Sequence, residues 1–207
     1  VTGGLPDGYF DALYERAEDP WQLASRWYER RKYAITLALL PRERYRHAFE
    51  PGCSVGVLTA QLSARCDHVT AVDIADAALR QTSQRLARCG RRDAVSLHRQ
   101  SLVDPWPADV DLVVISEVGY YLEGPTLRAV LDRELPRLAQ AATVVAAHWR
   151  HPVADYPLSG DQANAIIGAT AGLHHIGGYR DEDVVIDVFD TRSARSVAAH
   201  TGVPGAV

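Results

Sequence analysis

Cysteine is scarce: Cys53, Cys66 and Cys89 are the three in 207 residues. A small, odd number with no C-x-x-C pair excludes a disulfide framework and makes a reducing cytoplasm the expected setting. Lysine is scarcer still. Lys32 stands alone among 22 basic residues, the rest being arginine, and is read as coding bias. Long apolar runs are missing as well. The longest, near Ala34–Leu40 and Ala141–Ala147, fall far short of a membrane span, and the polar, acidic start has no apolar signal core. A formal charge of −4 and a pI of about 6.1 leave no electrostatic footprint for nucleic acid or an anionic membrane. No H-E-x-x-H or Cys/His cluster offers a metal site, and His174 and His175, adjacent in an expected strand, point to opposite faces. What is present is ordinary: 47% apolar and 23% charged residues, in a length that suits one domain with a sheet covered on both faces.

The chain is organised around Phe49-Glu50-Pro51-Gly52-Cys53-Ser54-Val55-Gly56-Val57-Leu58. A strand ends on this glycine turn. A helix follows, with Leu58 and Leu62 on one face. One supersecondary unit later, His68–Asp73 is a β-rich run ending in an acid. Strand, glycine turn, helix, strand and acid is the layout of a nucleoside-binding βαβ unit.

The flanking segments fit that layout. Residues 1–20, with Gly3, Gly4, Pro6 and Gly8, read as a loose lead-in with one helical turn near Phe10–Arg16. Asp19 and Pro20 read as the cap and first position of a helix running to Leu40, with Leu23, Trp27, Ala34 and Ala38 on one face. This segment, residues 19–41, is expected to cover the ligand over the turn. Beyond the turn, helices are expected over Ala75–Arg88, Thr126–Leu135 and Ser159–Ala171. Strands are expected over Val95–His98, Asp111–Ser116, Ala142–Ala147, Leu173–Tyr179 and Val184–Phe189. The unbroken apolar run Leu112–Ile115 predicts a central parallel strand buried on both faces. The alternation gives a doubly wound, Rossmann-like α/β fold. Its seven-stranded sheet is mostly parallel, with an antiparallel terminal strand pair, within a single domain over residues 1–190. Residues 191–207 have no period and read as a flexible tail. Ligands in such a sheet bind outside the C-terminal strand ends.

Three ligand chemistries compete for the turn. S-adenosylmethionine needs close backbone approach, which Gly52, Ser54 and Gly56 permit. It also needs a ribose acceptor, supplied by Asp73 about twenty residues on, and an acid for its amino end, supplied by Glu50. A dinucleotide would need G-x-G-x-x-G, and two of the three glycines are absent. Gly52-Cys53-Ser54-Val55-Gly56 is also G-x-S-x-G, a nucleophile elbow, with Asp111 and His148 or His174 as nominal partners for Ser54. Against that elbow, no His-Gly-Gly motif precedes it and Asp73 would have no role.

These residues carry a family resemblance. Asp19-Pro20-Trp21, Tyr28-Glu29 with Lys32-Tyr33, Thr36-Leu37, Leu40-Pro41-Arg42-Glu43-Arg44-Tyr45, Glu50–Thr59, Arg65-Cys66-Asp67 and Val72-Asp73-Ile74 lead the series. Trp106-Pro107, Asp111–Val118 with Tyr120-Tyr121, His148-Trp149-Arg150 and Tyr156–Asp161 follow in order. Over roughly residues 19 to 190 the chain resembles class I S-adenosylmethionine-dependent methyltransferases, and more narrowly the nodulation protein S family. It departs before the fifth strand, where Leu138-Ala139-Gln140-Ala141 replaces the usual Pro-Gly-Gly turn. The resemblance implies methyl transfer to the amino nitrogen of an amino sugar or chito-oligosaccharide. An O-methyltransferase and a non-catalytic binding module are the alternatives.

The expected cofactor contacts are Glu50, Gly52, Cys53, Ser54, Gly56, Asp73, Ile74, Gln100, Ser101, Leu102 and Ser116, with Trp21 and Tyr28 from the covering segment. Glu117 and His148, at strand ends facing the site, are the candidates for holding or deprotonating an acceptor amine. Tyr120, Tyr121 and Trp149 are the candidates for lining its pocket. The expected partner is a small-molecule acceptor.

Overall fold

The strand that needs water least sits at the centre. In β4 (Leu112–Ser116), Leu112 and Val114 pack into one core cluster while Val113 and Ile115 pack into the other. All four are fully buried, each contributing about 1.5–3 kcal/mol by removal from water. A computed structural model describes residues 5, 7–193 and 195–206. Gly3, Gly4 and Pro6 of the expected lead-in lie outside them.

Around β4 the sheet is completed by β1 (Tyr45–Pro51), β2 (Cys66–Asp73), β3 (Val95–Arg99), β5 (Thr143–Trp149), β6 (His174–Arg180) and β7 (Val184–Asp190). The order is β3-β2-β1-β4-β5-β7-β6. The first five strands are parallel, and β7 runs antiparallel between β5 and β6. The expected mostly parallel seven-stranded sheet is therefore found. The helices are α1 (Asp7–Arg16), α2 (Trp27–Ala38), α3 (Val57–Leu62), α4 (Asp76–Arg88), α5 (Gly124–Glu134), α6 (Gly160–Gly168) and α7 (Val197–His200). Residues of α2, α3 and α4 pack into one core cluster, those of α5 and α6 into the other.

The covering segment differs from its expected form. Asp19 does cap, accepting from the amides of Leu23 and Ala24 at 2.9 Å each. What it caps is a run of turns, because Gln22 stands at φ 57°, and α2 starts only at Trp27. The expected apolar face is not the buried one. Trp27 is 69% exposed and Ala34 and Ala38 face solvent, whereas Glu29, Lys32, Tyr33 and Thr36 are buried. The helix is therefore docked by charged and polar groups, which an apolar period does not reveal. The lead-in is likewise more ordered than one turn, since α1 spans ten residues. Farther on, β5 extends through Trp149. α6 stops at Gly168 but opens on a capping box between Ser159 and Gln162.

The departure before β5 is visible in the backbone. Ala141 holds φ 64°, the left-handed conformation in which a glycine is unstrained, and its carbonyl accepts from Arg42.

Candidate functional site

Strand register makes the first half of the site. Pro51 pairs with Val72, so the turn leaving β1 lies beside the acid ending β2. The amides of Gly52 and Cys53 both donate to the Val72 carbonyl, at 2.8 and 3.0 Å. Gly52 stands at φ 71°, and a Cβ there would meet Val118 Cγ2 at 3.0 Å. Ser54, at φ 49°, donates its amide to Asp73 Oδ2 at 2.9 Å, while Asp73 Oδ1 accepts from Ala75 at 3.0 Å. The acid thus shapes the turn and still edges the cavity. Tyr14 of α1 closes over it, 2.6 Å from the Ser54 hydroxyl.

Glu50 is buried with an unpartnered carboxyl oxygen, Oε2. Burial pushes its carboxyl up to about 8; neighbouring Thr59 opposes the rise and Asp73 adds to it. Glu50 lines the cavity, and its unpartnered oxygen is an acceptor without a donor in the protein.

The second half is built from side chains remote in sequence. Glu117, directly after β4, stands at φ 56°. Its Oε1 accepts from Lys32 Nζ of α2 at 2.6 Å. Its Oε2 accepts from the Tyr120 hydroxyl and, at 2.9 Å, from the Trp149 amide. Glu29 Oε2 lies 2.8 Å from the same ammonium, a close ion pair not aligned as a hydrogen bond. Burial works most strongly, to raise the Glu117 carboxyl, but Lys32 foremost, with His148 and the Tyr120 hydroxyl, together hold Glu117 below the usual carboxylate range. Burial likewise works to lower Lys32, and Glu117 and Glu29 together hold it above the usual lysine range. Aromatic rings wall this end. Tyr28 meets Trp149 edge-on at 5.2 Å, and Tyr120 stacks on Tyr156 at 4.9 Å.

One cavity of about 380 Å³ joins the two halves. Of the expected cofactor residues it is lined by Glu50, Gly52, Cys53, Ser54, Asp73, Ile74, Gln100, Ser101, Leu102, Ser116, Trp21 and Tyr28. Of the expected acceptor residues it is lined by Glu117, Tyr120, Tyr121 and Trp149.

Two expected residues are not at the cavity. Gly56 turns the chain into α3 at φ 72°, packed so closely on Thr82 that a Cβ would come within 2.6 Å of its Cγ2. His148 is fully buried beneath the acceptor turn. Its Nε2 accepts from the Gly119 amide at 3.0 Å and its Nδ1 donates to Asn164 Oδ1 at 2.6 Å. Burial chiefly lowers its pKa, and no ring nitrogen is left to meet an acceptor. The elbow reading fails on the same geometry. Ser54 is bonded to Tyr14 rather than to a histidine. Asp111, ahead of β4, is spent on the amides of Arg46 and His47 at the opposite end of the sheet. His174 is exposed on the edge strand.

Among the cavity-lining residues that the sequence does not single out for the site are Tyr14, Glu29, Lys32, Tyr33 and Tyr156. Lys32 had a visible signal, being the sole lysine within Tyr28-Glu29 and Lys32-Tyr33. Coding bias does not explain a lysine 2% exposed and bound to two acids.

A family model described as "Nodulation protein S (NodS)" matches residues 11–158. A curated relative, Nodulation protein S of Sinorhizobium fredii (strain NBRC 101917 / NGR234), is 32% identical over 136 residues, 62% of this chain and 60% of its own length. The chain thus spans about three-fifths of that relative. A solved chain from Pseudomonas syringae, provisionally described as a methyltransferase, is 36% identical with a TM-score of 0.64, over 80% of this chain and 99% of its own. N-methyltransferase NodS from Bradyrhizobium japonicum WM9, solved with S-adenosyl-L-homocysteine, shares the fold at a TM-score of 0.77 and 24% identity, over 87% of this chain and 97% of its own. With its glycine turn, its acid after β2 and a family match over more than half its length, the chain belongs to the nodulation protein S family.

Proposed function

We propose that this chain transfers a methyl group from S-adenosylmethionine to the amino nitrogen of a small-molecule acceptor, an amino sugar or chito-oligosaccharide. The observation that carries the reading is the single cavity with the Gly52–Ser54 turn and Asp73 at one end and Glu117 at the other.

The residues present fit the cofactor. The free oxygen of Glu50 suits its ammonium, the bare Gly52 its close approach, and Asp73 its ribose hydroxyls. Ile74 and the Gln100–Leu102 segment would flank the adenine, while Trp21 and Tyr28 cover the site. When bound, the cofactor supplies an electrophilic methyl on a sulfonium. The protein's part is positioning: nucleophile, methyl carbon and sulfur must lie in line with water excluded. Glu117, kept ionised by Lys32, accepts a hydrogen bond from the acceptor amine and orients its lone pair; Tyr120, Tyr121 and Trp149 shape the pocket. Being a weak base, Glu117 holds the amine better than it deprotonates it. The setting that suits this chemistry is the cytoplasm.

The test is calorimetric binding of S-adenosylhomocysteine, followed by turnover with amino sugars, small amines and their hydroxyl analogues, with products read by mass spectrometry. N-methyl product is expected. Binding without turnover on any acceptor points to a binding module, O-methyl product to the oxygen reading, and labelling of Ser54 by a serine-reactive phosphonate to a hydrolase. Each of these overturns the proposal.

A further inference from the structure

Lys32 is out of place as a surface helix residue. Its side chain is 2% exposed, and the ammonium lies 5.4 and 5.3 Å from the ring centroids of Tyr28 and Tyr33. It is bonded to Glu117, 85 residues away, and paired with Glu29 one turn back on its own helix. Burying a charge among apolar groups costs stability unless the partners are close and well directed. A pairing retained in the wall of a ligand cavity therefore points to use beyond packing.

The geometry around Glu117 indicates what that use is. Three donors hold its carboxylate: Lys32 on Oε1, and Tyr120 and the Trp149 amide on Oε2. A carboxylate has about four acceptor sites, so one on Oε1 is left. The side chain keeps 20% of its surface open, and Glu117 lines the cavity. The charged or titratable groups around it are Glu29, Tyr28 and Tyr33 on α2, Tyr120 and Tyr121 on the turn after β4, His148 on β5, and Tyr156 on the loop before α6. Lys32 is the one cation hydrogen-bonded to it among the described residues.

We infer that Lys32 is the positioning residue of the acceptor site: it clamps the Glu117 carboxylate in one orientation, so that the free edge of Oε1 faces the acceptor, and it latches α2 over the cavity. The inference rests on the proposed methyl transfer for the identity of the acceptor, but not for the state of Glu117.

The experiment compares wild type, Lys32→Met and Lys32→Arg in two ways. Carbon-13 NMR of glutamate-labelled, cofactor-free protein follows the Glu117 titration, assigned with Glu117→Gln. Turnover against pH is measured on the same proteins. In Lys32→Met the Glu117 midpoint is expected to rise by at least about one unit, the buried carboxyl having lost its cation. The acid limb of kcat should move up with it, and kcat at neutral pH should fall about tenfold or more. Lys32→Arg should restore the limb's position, because it restores the charge. An unmoved Glu117 midpoint in Lys32→Met overturns the inference, as does an unmoved acid limb in an active variant. Should Lys32→Met fail to fold, Lys32→Met/Glu29→Gln keeps the wall's net charge and is read in the same way. If wild type makes no S-adenosylhomocysteine, the functional reading falls while the titration still reports on Lys32.

Discussion

At the Gly52–Ser54 end of the cavity the contacts are made mostly by backbone amides of the turn and run to the neighbouring strand β2. The amide contacts with β2 reach about twenty residues, from Gly52 and Cys53 to Val72 and from Ser54 to Asp73, and Thr82 and Tyr14 add side-chain contacts to Ser54 from 28 and 40 residues away. At the Glu117 end the contacts are made by side chains, and the chief one spans 85 residues. The first end is held by the sheet itself, since the amides of Gly52 and Cys53 close on Val72 as an extension of the β1–β2 ladder. The second end is completed by α2, whose Lys32 reaches Glu117 at the end of β4. On the proposed reading the first end is a fixed donor half and the second an acceptor half whose specificity is set by a few replaceable side chains.

Substitutions at the two ends should separate affinity from turnover. The largest effect is expected from Asp73→Ala. It removes the proposed ribose acceptor and the anchor of the Ser54 and Ala75 amides, so Kd for S-adenosylhomocysteine should rise about a hundredfold by calorimetry, with the circular dichroism of the fold retained. Unchanged affinity would remove Asp73 from the donor half.

Next in size is Glu117→Gln, with kcat down about tenfold to a hundredfold and cofactor affinity kept. Loss of cofactor binding instead would merge the two halves.

Glu50 gives the next effect, through pH. Its carboxyl is protonated up to about 8 in the unliganded protein, and a ligand ammonium favours the ionised form. Binding should therefore release a proton, and affinity should rise by up to about tenfold from pH 6 to pH 7. Calorimetry in buffers of different ionisation enthalpy counts that proton, and Glu50→Gln should abolish it. The same raised carboxyl makes the unliganded fold lose stability as pH climbs from the ordinary carboxylate range to about 8, because the folded state holds the extra proton.

The smallest effect lies outside both halves. Ala141→Gly relieves a left-handed alanine at some cost in chain entropy, and should raise stability by about 0.5 kcal/mol in thermal or denaturant unfolding without altering Kd or kcat.

The difference between the halves also explains what could be read in advance. Strand, turn and acid from Tyr45 to Asp73 follow local rules, period two and glycine punctuation, and every strand was found within a few residues of its expected bounds. The covering segment was misread because its buried face is Glu29, Lys32, Tyr33 and Thr36, and a hydrophobic period cannot report a face docked by charge. His148 was placed at the site by its position at a strand end. Its partners Gly119 and Asn164, far along the chain, occupy both ring nitrogens.

The sequence by itself determined the sheet, the turn and the acid beside it, because hydrophobic periodicity, glycine and strand ends act over a few residues. The tertiary structure alone decided that Glu117 is clamped by Lys32 and that His148 lies beneath the turn. Those outcomes depend on burial and on which distant donor reaches which acceptor, and chain order does not encode either distance.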